Sequence, residues 1–161
     1  MHYLVRFIGE APTANEANAN AQAFADDLVE RGTYDYYDPY PHRYEASGTT
    51  VPLTSDEGQV AVIEALAYSR TEFMKAIGLV RRMLEAHTDE AIYQDNLPPG
   101  EDEQRPSRFD LYRASGHAGT IALYGDGEFW GEAIRNDADY AESMEGIDQS
   151  TLWVTSLDMH Q

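Results

Sequence analysis

Five histidines (His2, His42, His87, His117 and His160) are the side chains best suited to moving protons or holding a metal near neutral pH. Their spacing contains no HxH, HxxxH or HExxH, so no local metal pattern exists. Cysteine is absent, which excludes disulfides, zinc ribbons and thiol chemistry. No metal and no cofactor are expected. A site would need His42, His87 and His117 to converge in space with Asp38; otherwise each ring makes one loop or helix-end hydrogen bond. His2 and His160 approach each other only if the first and last strands pair, and then only in one register.

The densest chemistry lies in residues 33–48. Tyr34, Tyr36, Tyr37, Tyr40 and Tyr44 fall within eleven residues, beside His42 and Arg43. Tyrosine joins a flat apolar face to a polar tip, which suits recognition of sugars, peptides or bases. The Arg43 fork matches a carboxylate or phosphate. The competing reading is an irregular segment that anchors its own rings against the helices. Tyr37, Tyr40, His42 and Arg43 are the candidate binding residues.

Other constellations carry less. Gly125-x-Gly127-x-x-x-Gly131 joins two strand patterns, whereas a phosphate cradle feeds a helix N-terminus. Ser115 and His117 share a glycine-rich turn, but no GxSxG elbow accompanies them. With 29 acidic residues, pairs of carboxylates occur everywhere and identify nothing without geometry. Arg81 and Arg82 form, with Lys75, a short cationic stretch that nearby acids can neutralise.

The elements that must position these groups follow from periodicity. Residues 2–8 alternate as a strand covered on both faces, not as a signal peptide. Thr13-x-x-Glu16 is a capping box, and a helix from there to Gly32 turns Ala17, Ala21, Phe24, Ala25, Leu28 and Val29 inward. The segment 33–48 is a loop with a short edge strand, because Pro39 and Pro41 forbid a helix, and Thr49–Leu53 is a further short strand. Thr54-x-x-Glu57 opens a helix with Val60, Ile63, Leu66 and Ala67 inward. Ser69-x-x-Glu72 is a third box, where the chain breaks or bends before a stretch burying Phe73, Ile77, Val80 and Leu84 beside Met83. A Pro/Gly-rich exposed loop occupies about 96–107. Phe109–Ala114, Thr120–Tyr124 and Glu128–Ile134 read as strands, Asn136–Met144 as a helix and Leu152–Leu157 as the last strand. Trp130 and Trp153 belong to strand patterns. The sum is one α+β domain over 1–161: a mainly antiparallel sheet of about five strands with helices packed on one face. The two terminal strands are the candidates for its centre.

The solvent is also legible. Eleven basic against 29 acidic residues give a charge of −18, and Lys75 is the only lysine. Many carboxylates, arginine in place of lysine and no cysteine resemble the composition of proteins from extremely halophilic archaea. In molar salt the Debye length falls to about 3 Å, which screens this self-repulsion. Acidity then reports habitat more than ligand. It disfavours nucleic acid and an anionic membrane, and no apolar run reaches a membrane span. The expectation is a soluble, cytoplasmic, non-catalytic binding or protein-interaction module using the Tyr-rich 33–44 loop. Its partner is another protein or a second copy of itself, with a small-molecule ligand as a further possibility. The alternative is a small enzyme acting on an anionic small molecule, with His42 or His117 as acid/base and Arg43 as anchor. A third reading uses Arg81, Arg82 and the tyrosines as a platform for nucleic acid.

Overall fold

The computed structural model describes residues 1–94, 108–115, 120–125 and 133–161. The two terminal strands do form the centre. β1 (His2–Glu10) pairs antiparallel with the last strand along nine residues, His2 opposite His160 and Glu10 opposite Leu152. β2 (Tyr36–Asp38) and β3 (Thr50–Pro52) both pair antiparallel with the outer edge of that last strand, at its C-terminal and N-terminal parts respectively. On the far side of β1, β4 (Leu123–Gly125) runs parallel to Arg6–Ile8. With the last strand as β5 (Leu152–His160), the order across the sheet is β2 (or β3), β5, β1, β4.

The α+β class therefore holds, but the sheet is mixed rather than mainly antiparallel. The cause lies before β4. Phe109–Ala114, expected as a strand, belongs to a helix, Arg108–Ala114. The chain thus returns to β4 from a helical crossover, the connection that parallel pairing requires. Ala133 bridges Tyr124 antiparallel, at the end of the expected Glu128–Ile134 strand. The Gly125–Gly131 turn, Trp130, His117 and the 96–107 loop lie wholly or mostly outside the described residues.

Helices cover both faces, not one. Tyr3, Val5 and Phe7 meet Ala21, Ala25 and Leu28 of α1 (Ala14–Glu30). Ile8, on the opposite face, joins Val154 and Val62, Ala65 and Leu66 of α2 (Asp56–Ala86). Two central strands that are apolar on both sides need cover on both sides. The α1 cap is as expected: the Glu16 amide donates to Thr13 Oγ1 at 3.3 Å, and Gly32 past the helix end has φ +73°.

α2 settles the choice between one helix and two, and departs from expectation in its cap and in part of its buried face. Its cap is Ser55, whose hydroxyl accepts from the Gly58 amide, one residue beyond the expected Thr54. It runs unbroken for 31 residues through Ser69. It buries Leu66, Val80 and Met83 as expected, together with Val62, Ala65, Ser69, Ala76 and Leu79, but leaves Val60, Ile63, Ala67, Phe73 and Leu84 exposed. The buried stripe mixes small residues (Ala65, Ser69, Ala76) with Val62, Leu66, Leu79, Val80 and Met83. At the N-terminal end the approach is so close that a Cβ on Gly58 would collide with the Pro52 carbonyl. After α2 come α3 (Asp89–Tyr93), then the helix noted above, α4 (Arg108–Ala114), and α5 (Asp137–Met144), capped by Asn136 as expected. None of the described helices is long and apolar enough to cross a membrane.

Candidate functional site

Strand alternation sorts the 33–48 segment between the two faces. β2 pairs Tyr36 with His160 and Asp38 with Asp158. Tyr37 points the other way, half-buried against the α1 core. Burial raises its phenol above the usual value, and a hydrogen bond to Asp26 adds to that. Tyr34 is buried, and its hydroxyl donates to the Ile121 carbonyl at 3.3 Å. Two of the five rings thus anchor the segment on the α1 side.

Tyr36 and Tyr44 go to the opposite side and meet the strand ends. The Tyr36 ring stacks on His160, centroids 4.3 Å apart and 17° between planes. His2 meets His160 edge-on at 4.7 Å. The Tyr44 hydroxyl donates to the His2 carbonyl at 3.2 Å. Beneath them sits Asp158, 1 % exposed, with both carboxylate oxygens 3.1 Å from His2 Nδ1. A carboxylate oxygen only accepts, so His2 Nδ1 is the donor in this contact and Nε2 points away from the carboxylate. Asp35 lies 3.7 Å from His160 Nδ1. Arg6, two residues along the same face of β1 from Leu4, is buried and paired with Glu64 at 2.8 Å. Burial lowers its guanidinium below the ordinary value, and Glu64 opposes that effect.

The turn between β2 and β3 is held at both ends. Ser47 Oγ donates to the Asp38 carbonyl at 2.6 Å and accepts from the Asp158 amide at 3.1 Å. The Gly48 amide donates to the Ser156 carbonyl at 2.7 Å. Gly48 has φ +78°, and a Cβ there would strike the Pro39 carbonyl, so only glycine closes this turn. The Tyr40 amide bonds Asp38 Oδ1 at 2.9 Å, while its ring is 74 % exposed. His42 and Arg43 are exposed and make no hydrogen bond or ion pair among the described residues.

Of the four candidate residues, Tyr40, His42 and Arg43 share the exposed tip of this turn, and Tyr37 is turned away from them into the opposite face. Of the two enzyme histidines, His42 is at the exposed tip and meets no buried carboxylate among the described residues, and His117 lies outside them. The residues that sequence weighting passed over are Tyr36, Tyr44 and Asp158. Their signal was the period-2 alternation of β2 and β5, which puts Tyr36, His160 and Asp158 on one face once β1 and β5 are paired. His87 ends α2 and joins no cluster; among the described residues no group of three or more His, Cys, Asp or Glu could hold a metal.

The arrangement supplies a Tyr36–His160 stack beside His2, a His2–Asp158 pair with the carboxylate buried, and an exposed turn carrying a phenol, an imidazole and a guanidinium. No protein-family model, curated protein or solved structure matches the chain.

Proposed function

We propose that the protein is a non-catalytic binding module that recognises a partner protein through the tip of the Tyr-rich segment, Tyr40, His42 and Arg43, with Tyr36 and His160 as the adjoining floor. One observation carries this reading: Tyr40 is the most exposed large ring in the segment, yet its backbone is tied to Asp38 and its turn is tied to β5. An exposed ring on an ordered turn lowers the entropy cost of binding. Arg43, which makes no ion pair among the described residues, matches a carboxylate on the partner. The module works in the cytoplasm of a cell rich in salt.

The test is photo-crosslinking in the source cells from a benzophenone residue at position 40, with a benzophenone at exposed Glu30 of α1 as control. A single adduct from position 40 that disappears with Arg43→Ala supports the reading. No adduct, or the same adduct from both positions, overturns it.

The His2–Asp158 pair favours a second reading, an enzyme acting on a small anion. There His2 Nε2, not His42, is the acid/base. It requires the His2 and His160 ring resonances to move on adding phosphate or citrate at fixed ionic strength; unmoved resonances with both anions end it.

A further inference from the structure

α2 carries a second apolar stripe that nothing among the described residues covers. Val60 is 52 %, Ile63 64 %, Met74 55 % and Leu84 58 % exposed, and Ala67 is exposed with them. With half-buried Ile77 and the exposed Arg70 and Arg81, the positions are 60, 63, 67, 70, 74, 77, 81 and 84. Steps of three and four alternate throughout, which is the seam spacing of paired helices. The helix is 31 residues long, about 46 Å at 1.5 Å per residue. Its sheet-facing residues are a different set, so the stripe is not core displaced by local packing.

Charge on α2 is unevenly spread. Asp56, Glu57 and Glu64 are the charged residues of its first third, whereas Arg70, Lys75, Arg81 and Arg82 outnumber Glu72 and Glu85 in its later part. Four of the eleven basic residues of the chain are gathered there. The helix macrodipole accounts for the order of the signs but not for the apolar stripe between them. A parallel pairing of two copies would set Arg70 against Arg70 and Arg81 against Arg81. An antiparallel pairing about a two-fold axis near residue 72 sets Val60 opposite Leu84, Ala67 opposite Ile77 and Arg70 opposite Met74. It also sets Arg81 beside Ile63 and Glu64. A recess of about 850 Å³, bordered by Ile63, Ala67, Arg70 and Phe73, opens beside this line, where Met74 and Ile77 of the second copy arrive. Methionine is suited to filling such an irregular gap.

We infer that the occupant of this face is a second copy of the same chain, forming an isologous dimer through antiparallel α2 helices. The surface is distinct from the Tyr40 tip, so neither proposal depends on the other. The test uses the full chain in molar KCl. Sedimentation equilibrium is expected to give about twice 18.1 kDa, and Met74→Glu to give 18.1 kDa with unchanged far-UV circular dichroism. A mass of 18.1 kDa for the unaltered chain overturns the proposal, as does a dimer that survives both Met74→Glu and Ile63→Glu. Because the chain has no cysteine, single cysteines read the orientation. Ala67→Cys and Ile77→Cys proteins mixed under oxidation should form the mixed disulfide in preference to either homodisulfide. Preferential 67–67 and 77–77 disulfides would mean a parallel pair and would overturn the antiparallel assignment.

Discussion

His2 faces His160 directly across the central strand pair, and the carboxylate of Asp158, two residues from His160, lies 3.1 Å from the His2 ring nitrogen Nδ1. The imidazole is a quarter exposed while the carboxylate is sealed from solvent. His2 is the only hydrogen-bonding partner of that carboxylate among the described residues. Removing the histidine therefore strands a buried acid, which costs about 3–5 kcal/mol. Removing the acid leaves only a partly solvated ring. His2→Ala should be markedly destabilising in urea unfolding at fixed salt, and Asp158→Asn added to it should recover most of the loss. Additive effects of the two substitutions would show that the pair is not coupled.

Ser69 has a similar role at the other end of the sheet. Its hydroxyl donates to the Ala65 carbonyl at 3.0 Å and accepts from the Ala122 amide at 2.9 Å, both buried. It fastens α2 to the residue before β4. Ser69→Ala leaves the Ala122 N–H without an acceptor, a loss of about 1–3 kcal/mol. Thr71 makes the same turn-back bond to Ala67 from an exposed position, so Thr71→Ala should stay within about 0.5 kcal/mol. Equal urea midpoints for the two variants would remove Ser69 from this role.

The contrast between these two sites shows what the sequence could and could not convey. Strand periodicity survives in the primary sequence, so the β1 and β5 pattern, the α1 face and the Asn136 cap were all readable from it. The His2–His160 register followed as a single conditional choice. Ser69-x-x-Glu72 fits a helix start as well as a docking hydroxyl, since both uses need a short oxygen at that spacing; only the position of Ala122 decides between them. The α2 face is legible only in part. Leu66 and Val80 turn inward as the periodicity predicts, whereas Val60, Ile63 and Leu84 are exposed and Ala65, Ser69 and Ala76 are buried. Hydrophobicity favours the larger residues, and the close approach at the Gly58 end favours small ones. Local pattern likewise could not sort five tyrosines among three environments, because Tyr36 and Tyr37 differ only in strand parity.

Two buried phenols, Tyr34 and Tyr124, and the half-buried Tyr68 should make the fold sensitive to alkali. Burial raises Tyr34 well above its ordinary value of 10.0, and raises Tyr68 and Tyr124 as well. The folded state thus keeps protons that the unfolded chain releases near pH 10. Their contribution is complete below pH 10 and is lost as pH rises beyond it toward the raised values. Tyrosinate absorbance from these rings should appear in one step together with loss of circular dichroism. Ionisation of all three in a chain that stays folded would contradict this. Tyr34→Phe removes one such group and its bond to Ile121, costing about 1 kcal/mol at neutral pH and moving the alkaline step upward.

Salt dependence follows from a net charge of −18 with few internal neutralisations. Among the described residues, Arg and Lys ion pairs join Arg6 to Glu64, Arg31 to Asp27, Lys75 and Arg113 to Glu72, and Arg135 to Asp139. Most carboxylates repel one another across the surface. The Debye length falls from about 10 Å at 0.1 M salt to about 3 Å at 1 M, so KCl should raise the urea midpoint steeply over that range. Screening alone is then nearly exhausted, and the curve should flatten above it. A further rise in molar KCl would indicate stabilisation by exclusion of salt from the surface. A midpoint independent of KCl would separate the acidity of this chain from adaptation to salt altogether.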